Sequence, residues 1–327
     1  MTKSRRYFIV GGAGFIGSHL TDRLLSAPSN SAVTIYDNFS SGREWHFENH
    51  LQNPNFHVVR GDAKDVEQLL SAMTADAAHD VVVHLASNPD IARSVAEPDI
   101  DFREGTLLTN NVVEAMRRAG IQTILYASGS GIYGDQGETD VDEDSGPQTP
   151  ISTYGASKLA GEALIRAYCH MFGLIGRVFR FGNVVGPRQT HGVGFDFLRQ
   201  LAGNPRKLRI LGDGEQSKSY IHVEDILDAV LLAEARSMTP FAVYNVATDY
   251  ITVKEIALLA VECAGLNPQN VEFEYSGGSR GWKGDIPVVR MNAERIRRLG
   301  WNCRRGSREA LRDSMLAMLK ELEAGRL

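Results

Sequence analysis

Only three cysteines occur in 327 residues, Cys169, Cys263 and Cys303, and no two of them form a CxxC pair. That excludes a disulfide framework and a thiolate metal site, and predicts reduced thiols in a cytoplasmic protein. The nine histidines include no HExxH pattern and no Cys/His quartet, so no metal is expected. No apolar run approaches the roughly 20 residues that span a bilayer. The opening MTKSRRYFIV carries a short basic stretch but no signal-peptide core. A basic excess is missing too: the formal net charge is -5, so neither nucleic acid nor a membrane surface is an expected partner. An anionic ligand would need a local cationic pocket. No GxSxG elbow precedes a helix, which removes serine-hydrolase chemistry.

Short β-branched runs alternate with amphipathic stretches. Strands are predicted at 7–10, 32–36, 56–59, 81–85, 123–127 and 175–181, with helices at 15–26, 66–75, 107–119 and 154–172. This alternation specifies an α/β fold, a parallel sheet with helices on both faces. Gly120 and Gly173 stand where helix C-caps belong. Beyond about Gly186 the pattern loosens into glycine-containing loops and short elements, until an amphipathic helix at 307–323 carries Leu311, Met315, Met318 and Leu322 on one side. No Pro/Ser-rich linker divides the chain. The expected division is a dinucleotide-binding domain over 1–186 and a smaller substrate-binding lobe over 187–327, with some later segments returning to the first.

Residues 7–20 read YFIVGGAGFIGSHL, placing Gly11, Gly14 and Gly17 between a strand and a helix. In such a turn the first glycine allows the tight bend and the second lets a pyrophosphate approach the backbone. The third lets helix and sheet pack closely, so that the helix N-terminus faces the anion. Asp37 ends the second strand twenty positions beyond Gly17. A carboxylate there accepts from ribose hydroxyls and repels a 2′-phosphate, which favours NAD over NADP, although Arg43 could pair with such a phosphate. Together these features predict a Rossmann-type doubly wound sheet.

The second pattern is Tyr154-Gly-Ala-Ser-Lys158. Residues four apart share one face of a helix, so phenol and ammonium point the same way. A tyrosine of ordinary pKa, about 10, is a poor base at neutral pH. A neighbouring lysine and a cationic nicotinamide ring would stabilise the phenolate, and a fall of about 3 units corresponds to roughly 4 kcal/mol. The expected role is proton abstraction from a carbinol.

These motifs are accompanied by DNFSSG (37–42), RGD (60–62), HLAS (84–87), SGSGIYG (128–134), PISTYGASK (150–158), RFGNVVGPRQ (180–189), ILGDGEQSKSYIHVEDI (210–226) and RGWKGDIP (280–287). Over nearly its whole length the chain resembles the NAD-dependent epimerase/dehydratase family of extended short-chain dehydrogenases, and within it the UDP-galactose (UDP-glucose) 4-epimerases. By matching position, the resemblance assigns cofactor contacts to Gly11, Gly14, Phe15, Ile16, Asp37, Asn38, Ser41, Gly42, Asp62, Ala63, Leu85, Ala86, Ser87, Tyr154, Lys158 and Phe181. It assigns nucleotide-sugar contacts to Asn183, Lys218 and Arg280. The bland alternatives are a loop-capping amide for Asn183 and solvated surface charges for Lys218 and Arg280. His84 and His222 are expected to be structural, and the acidic run 138–144 to be a solvated loop rather than a cation site.

Three positions depart from the family pattern. Gly129 stands where a Ser or Thr usually meets the reacting hydroxyl, with Ser130 the expected substitute and a substrate water the alternative. Asp101 stands at a usual Asn. Trp282 replaces an arginine before the Gly284-Asp285 pair, which leaves Arg280 as the nearest one upstream. The acidic pair that dehydratases carry falls on Ser130 and Gly131, so elimination lacks its acid and base. The resemblance therefore implies NAD-dependent 4-epimerisation of a nucleotide-sugar, UDP-glucose/UDP-galactose, through a 4-keto intermediate, in a homodimer built from the helices at 107–119 and 154–172. The alternatives are a UDP-uronate 4-epimerase, a decarboxylase or a 4-ketosugar reductase on the same fold, and, from another class, a non-catalytic NAD-sensing protein.

Overall fold

The computed structural model describes residues 4–28, 31–75 and 78–326. Of the opening stretch read above, Met1, Thr2 and Lys3 lie outside the described residues. Two compact units are present. The first comprises the chain up to Gly129, Thr153–Arg180 and Val230–Tyr244, and the second Ser130–Ser152, Phe181–Ala229 and the chain from Asn245 onward. The expected division at Gly186 is thus redrawn. The second unit claims 130–152 and 181–186, and the first takes back 230–244. One helix, Val223–Arg236, contributes to both units, so periodicity along the chain carries no mark of the boundary.

The first unit is organised by a seven-stranded sheet. It contains β1 (Arg6–Val10), β2 (Ala32–Asp37), β3 (Phe56–Arg60), β4 (Val81–His84), β5 (Thr123–Gly129), and the strands Ile175–Phe181 and Phe241–Val246. From edge to edge the order is Phe241–Val246, Ile175–Phe181, β5, β4, β1, β2, β3. The pairs β1–β2, β1–β4, β2–β3 and β4–β5 all run parallel. The chain steps outward through β2 and β3, then returns to the other side of β1 for β4. That reversal brings the carboxyl ends of β1 and β4 together at the switch point where open sheets bind ligands. β1, β2 and β4 are buried almost throughout, as strands covered on both faces must be. β3 departs from that expectation, with His57 and Val58 exposed, because it is an edge strand. The seventh strand, Phe241–Val246, lies in the part of the sequence where the alternation had faded.

Helices α1 (Phe15–Leu25), α2 (Val66–Thr74), α3 (Leu108–Ala119) and α4 (Thr153–Phe172) fall close to the predicted spans. Asp65 caps α2 by accepting from the amides of Glu67 and Gln68. Gly120 and Gly173, both at φ 74°, end α3 and α4 in the left-handed conformation that glycine adopts without penalty. A single π-helical turn, Phe102–Leu107, leads into α3. Phe8, Leu69, Val82, Val112, Met116, Ile124 and Ile165 form the core of this unit, and full burial of each contributes roughly 1.5–3 kcal/mol.

In the second unit Val193–Gly203, Val253–Cys263 and Ser307–Glu323 pack around Leu198, Leu208, Ile256 and Leu259. Leu311, Met315 and Met318 of the closing helix are buried there as predicted, while Leu322 is half-buried. The acidic run 138–144 is mostly exposed, as expected of a solvated loop, but it is also tied down. Glu138 pairs with Arg290 and Asp144 with Arg295, while buried Glu143 accepts from the Asn245 amide at 2.8 Å. Among the described residues no group of acidic, histidine or cysteine side chains could hold a metal, and no helix is long and apolar enough to cross a membrane. The three cysteines are free thiols.

Candidate active site

At the carboxyl end of β1 the chain turns through Gly11 at φ 83°. A Cβ there would lie 2.7 Å from the Ala86 amide nitrogen, and one on Gly17 would lie 2.7 Å from the Gly11 carbonyl. The first glycine therefore lets the exits of β1 and β4 meet, and the last lets α1 pack onto the turn. Gly14 is the N-cap of α1 and offers no side-chain cap, so the helix N-terminus presents bare amides, the arrangement suited to a diphosphate. Phe15 and Ile16 begin that helix. Asp37 is buried, and its carboxylate accepts from the Ala13 amide at 2.9 Å and the Phe39 amide at 2.8 Å. Burial raises its pKa, and these amides oppose the rise. The carboxylate thus braces the glycine turn, and each oxygen keeps a lone pair for a further donor.

Asn38, Ser41 and Gly42 follow in a loop held against the same turn, since a Cβ on Gly42 would lie 2.7 Å from Ala13 Cβ. Arg43 folds back to donate to the Gly42 carbonyl at 3.1 Å. Beyond β3, Asp62 receives the Lys64 amide on its carboxylate at 2.9 Å, and the Ala63 carbonyl accepts from the Asn111 side chain at 3.0 Å. Leu85 and Ala86 donate to the Val10 carbonyl at 2.9 and 3.0 Å, which leads Ser87 out beside the turn.

Tyr154 and Lys158 lie on the first turns of α4, with Lys158 buried and donating to the Ala127 carbonyl at 2.8 Å. Its ammonium stands 5.5 Å from the centroid of the Tyr154 ring and 5.3 Å from that of Tyr126. Burial pulls the lysine pKa down to about 8, opposed by Asp101 and Glu162. The phenol is shifted as well. Burial pushes its pKa up to about 12, Ser87 opposes through a hydrogen bond, and Asp101 adds to the rise. Tyr154 keeps some accessible surface, so water screens part of this shift. Desolvation is thus the largest influence that the protein's own interior exerts on the phenol.

Four side chains in this unit, Glu162, Arg180, Asn88 and Thr153, were not singled out from the sequence. Glu162, one turn beyond Lys158, accepts from Ser128 and pairs with Arg180, whose Nη2 lies 2.8 Å from Oε2. Ser128 is thereby engaged. Asn88 and Thr153 both donate to Asp101, at 2.9 and 2.6 Å. The i, i+4 step from Lys158 to Glu162 was legible, but its long-range partner was not. His84 is structural as expected: buried, 3.0 Å from Thr109 Oγ1, and pushed down to about 3 by burial and by Lys158.

The remaining predicted residues belong to the second unit. Ser130 opens the short 3-10 turn Ser130–Tyr133. Phe181 is buried, whereas Asn183 is exposed and donates to the Ser219 carbonyl at 3.3 Å. Lys218 and Arg280 are not simply solvated. Lys218 pairs with Asp285, and Arg280 pairs with Asp135 at 2.5 Å and donates to the Asp285 carbonyl. Asp285 also receives the Gly281 amide at 3.0 Å, so one carboxylate organises the 281–285 loop and a cation together. Trp282 lies over Gly284, where a Cβ would meet its ring at 2.5 Å.

Residues 7–247 match the profile of the NAD dependent epimerase/dehydratase family. UDP-glucose 4-epimerase of Mycolicibacterium smegmatis is 32% identical over 303 residues, covering 90% of this chain and 93% of its own. UDP-glucuronic acid decarboxylase 2 of Arabidopsis thaliana is 31% identical over 83% of this chain and 59% of its own. The structure of Thermus thermophilus UDP-glucose 4-epimerase in complex with NAD superposes with a TM-score of 0.83 at 30% identity, covering 96% of this chain and 99% of that one. A glycine turn that brings β1 against β4, Tyr154 beside buried Lys158 and a match spanning nearly the whole sheet agree, and the chain belongs to the NAD-dependent epimerase/dehydratase family, with NAD as its cofactor.

Proposed function

We propose that the protein interconverts the C4 epimers of a UDP-linked hexose, UDP-glucose and UDP-galactose, through a 4-keto sugar. The observation that carries this reading is the Tyr154–Lys158 pair on the first turns of α4, with Lys158 buried and bonded to the Ala127 carbonyl of β5 and Tyr154 hydrogen-bonded to Ser87 just beyond β4. The glycine turn fits the cofactor: Gly11 and Gly17 have no room for a Cβ, and α1 leaves its first amides free of any side-chain cap. In this reading Gly11, Gly14, Phe15 and Ile16 hold the diphosphate, Asp37, Asn38, Ser41 and Gly42 the adenosine ribose, and Asp62 and Ala63 the adenine side. Leu85, Ala86, Ser87, Lys158 and Phe181 flank the nicotinamide side. When bound, NAD would supply the hydride acceptor and donor, and a cationic ring whose charge favours the phenolate against the desolvation that raises the phenol pKa.

The chain's own residues then move one proton. Tyr154 Oη takes it from the C4 hydroxyl and returns it after the sugar has turned. Lys158 favours the phenolate by charge. Ser130 is the proposed hydroxyl partner of substrate in place of Gly129, and Asn183, Lys218 and Arg280 bind the nucleotide-sugar, with diphosphate oxygens competing for cations now held by Asp285 and Asp135. The positions that would carry an acid–base pair for dehydration are Ser130 and Gly131, which supports epimerisation over elimination. All of these NAD residues but Phe181 belong to the first unit, and Ser130, Asn183, Lys218 and Arg280 belong to the second. Phe102, Met171 and Phe172, exposed on or beside α3 and α4, support a homodimer through those helices.

Uronate decarboxylation is the second reading, favoured by the 31% identity to the plant enzyme. Incubation with UDP-glucose, UDP-galactose and their uronates, with products identified by NMR, separates the two. Tyr154→Phe should lower turnover at least about 100-fold with NAD retained. Full activity in that variant would refute the assignment.

A further inference from the structure

The Asp101 side chain is fully enclosed, at 0% exposure. Its Oδ1 accepts from the Asn88 side chain at 2.9 Å and its Oδ2 from the Thr153 hydroxyl at 2.6 Å. Asn88 directly follows Ser87 at the exit of β4, and Thr153 directly precedes Tyr154. One carboxylate thus fastens both flanks of the reaction centre. Behind it the π-helical turn Phe102–Leu107 packs so closely on α4 that a Cβ on Gly105 would lie 2.6 Å from Ser157 Oγ. Such π turns tend to occur at functional sites.

Neither hydrogen bond requires a charge. An asparagine in the same place would accept from Asn88 through its oxygen and donate to the Thr153 hydroxyl through its nitrogen. Enclosing an anion with only neutral donors is costly. The costlier residue therefore points to a task that only its charge performs. Asp101 acts electrostatically on Tyr154 and Lys158 of α4. Lys158 is also faced by His84 from β4, Tyr126 from β5 and Glu162 of α4, which pairs with Arg180 and accepts from Ser128. Lys158 donates to the neutral Ala127 carbonyl, and of the two carboxylates that favour its charge Asp101 acts more strongly than Glu162.

We propose that Asp101 is a positioning residue whose negative charge keeps buried Lys158 cationic, while its clamp on Thr153 fixes the start of the helix that carries Tyr154. In agreement, Asp101 is the foremost group opposing the fall of the Lys158 pKa, and it also raises that of Tyr154. The inference rests on the reading of Tyr154 and Lys158 as the proton-transfer pair.

The test is Asp101→Asn in the protein as purified with its NAD. The ultraviolet titration of the Tyr154 phenol, taken as a difference against Tyr154→Phe, and the pH dependence of turnover are measured together. Loss of the charge should shift both the phenol ionisation and the alkaline limb of the profile to lower pH. A shift of about one unit, tenfold in each ionisation constant, is expected, with circular dichroism and bound NAD unchanged. Titration and profile both unmoved in a folded Asp101→Asn would overturn the proposal and leave Asp101 a plain acceptor. Should that variant fail to fold, Thr153→Val, which removes one arm of the clamp, decides: turnover lowered at least about tenfold with bound NAD retained is expected, and unchanged turnover overturns the proposal. An active Tyr154→Phe sinks the underlying reading instead, so the two failures are distinguishable.

Discussion

Replacing Arg180 by Met should cost about 3–5 kcal/mol, the range for removing one partner of an enclosed ion pair. The geometry places this pair at the upper end of such interactions. Arg180 presents Nε at 3.1 Å from Oε1 and Nη2 at 2.8 Å from Oε2 of Glu162, and the two residues are 4% and 5% exposed. Without the guanidinium, the Glu162 carboxylate keeps the Ser128 hydroxyl as its hydrogen-bond partner in the core. At roughly 2–3 °C per kcal/mol for a chain of this size, the melting midpoint should fall by about 6–15 °C. Glu162→Leu should cost a similar amount, because it takes the carboxylate away from a guanidinium that is 4% exposed. The double variant Glu162→Leu/Arg180→Met, which buries no charge, should lie within about 3 kcal/mol of the starting protein, a coupling of about 3 kcal/mol or more. Urea titrations of the four proteins close the cycle. Turnover should fall with each single variant, since Ser128 adjoins Ala127, whose carbonyl receives Lys158. An Arg180→Met variant within about 1 kcal/mol of the starting protein, or additive effects in the double, would refute the reasoning.

Gly17→Ala should lose NAD on dialysis, with affinity down at least about tenfold. Its Cβ would sit 2.7 Å from the Gly11 carbonyl and two Gly12 atoms, so the turn and α1 must separate, and undiminished NAD retention would contradict this despite the better helix propensity of alanine. Lys158→Met should be inactive yet more stable at pH 7 by about 1–2 kcal/mol: burial lowers the lysine pKa from 10.5 to about 8, an expense of about 3 kcal/mol, less about 1 for the lost hydrogen bond. The sign follows from proton uptake. Between about pH 8 and 10.5 the unfolded chain binds the proton and the folded one does not, so the unaltered protein gains stability as pH rises through that window and the variant's advantage should vanish by its top. A constant difference from pH 7 to 10 in calorimetry would show that Lys158 is not buried as a depressed base.

The layer order, the glycine turn and the Tyr154–Lys158 face were legible in the sequence because each depends on local spacing. A turn between strand and helix needs glycine at fixed offsets, and a helix repeats its face every three to four residues. Gly120 and Gly173 could be read as caps for the same reason. The unit boundary, the edge position of β3 and the seventh strand Phe241–Val246 could not, since each is fixed by which strands pair across the fold. The surroundings of the phenol could not be read for a related reason. Spacing shows that a cation is near, but only the packed interior sets how strongly desolvation opposes it. So too with Asp101 and Arg180: the sequence by itself shows a charge, and only tertiary structure decides that it is enclosed and which distant side chain answers it, because burial and long-range pairing are properties of the folded chain.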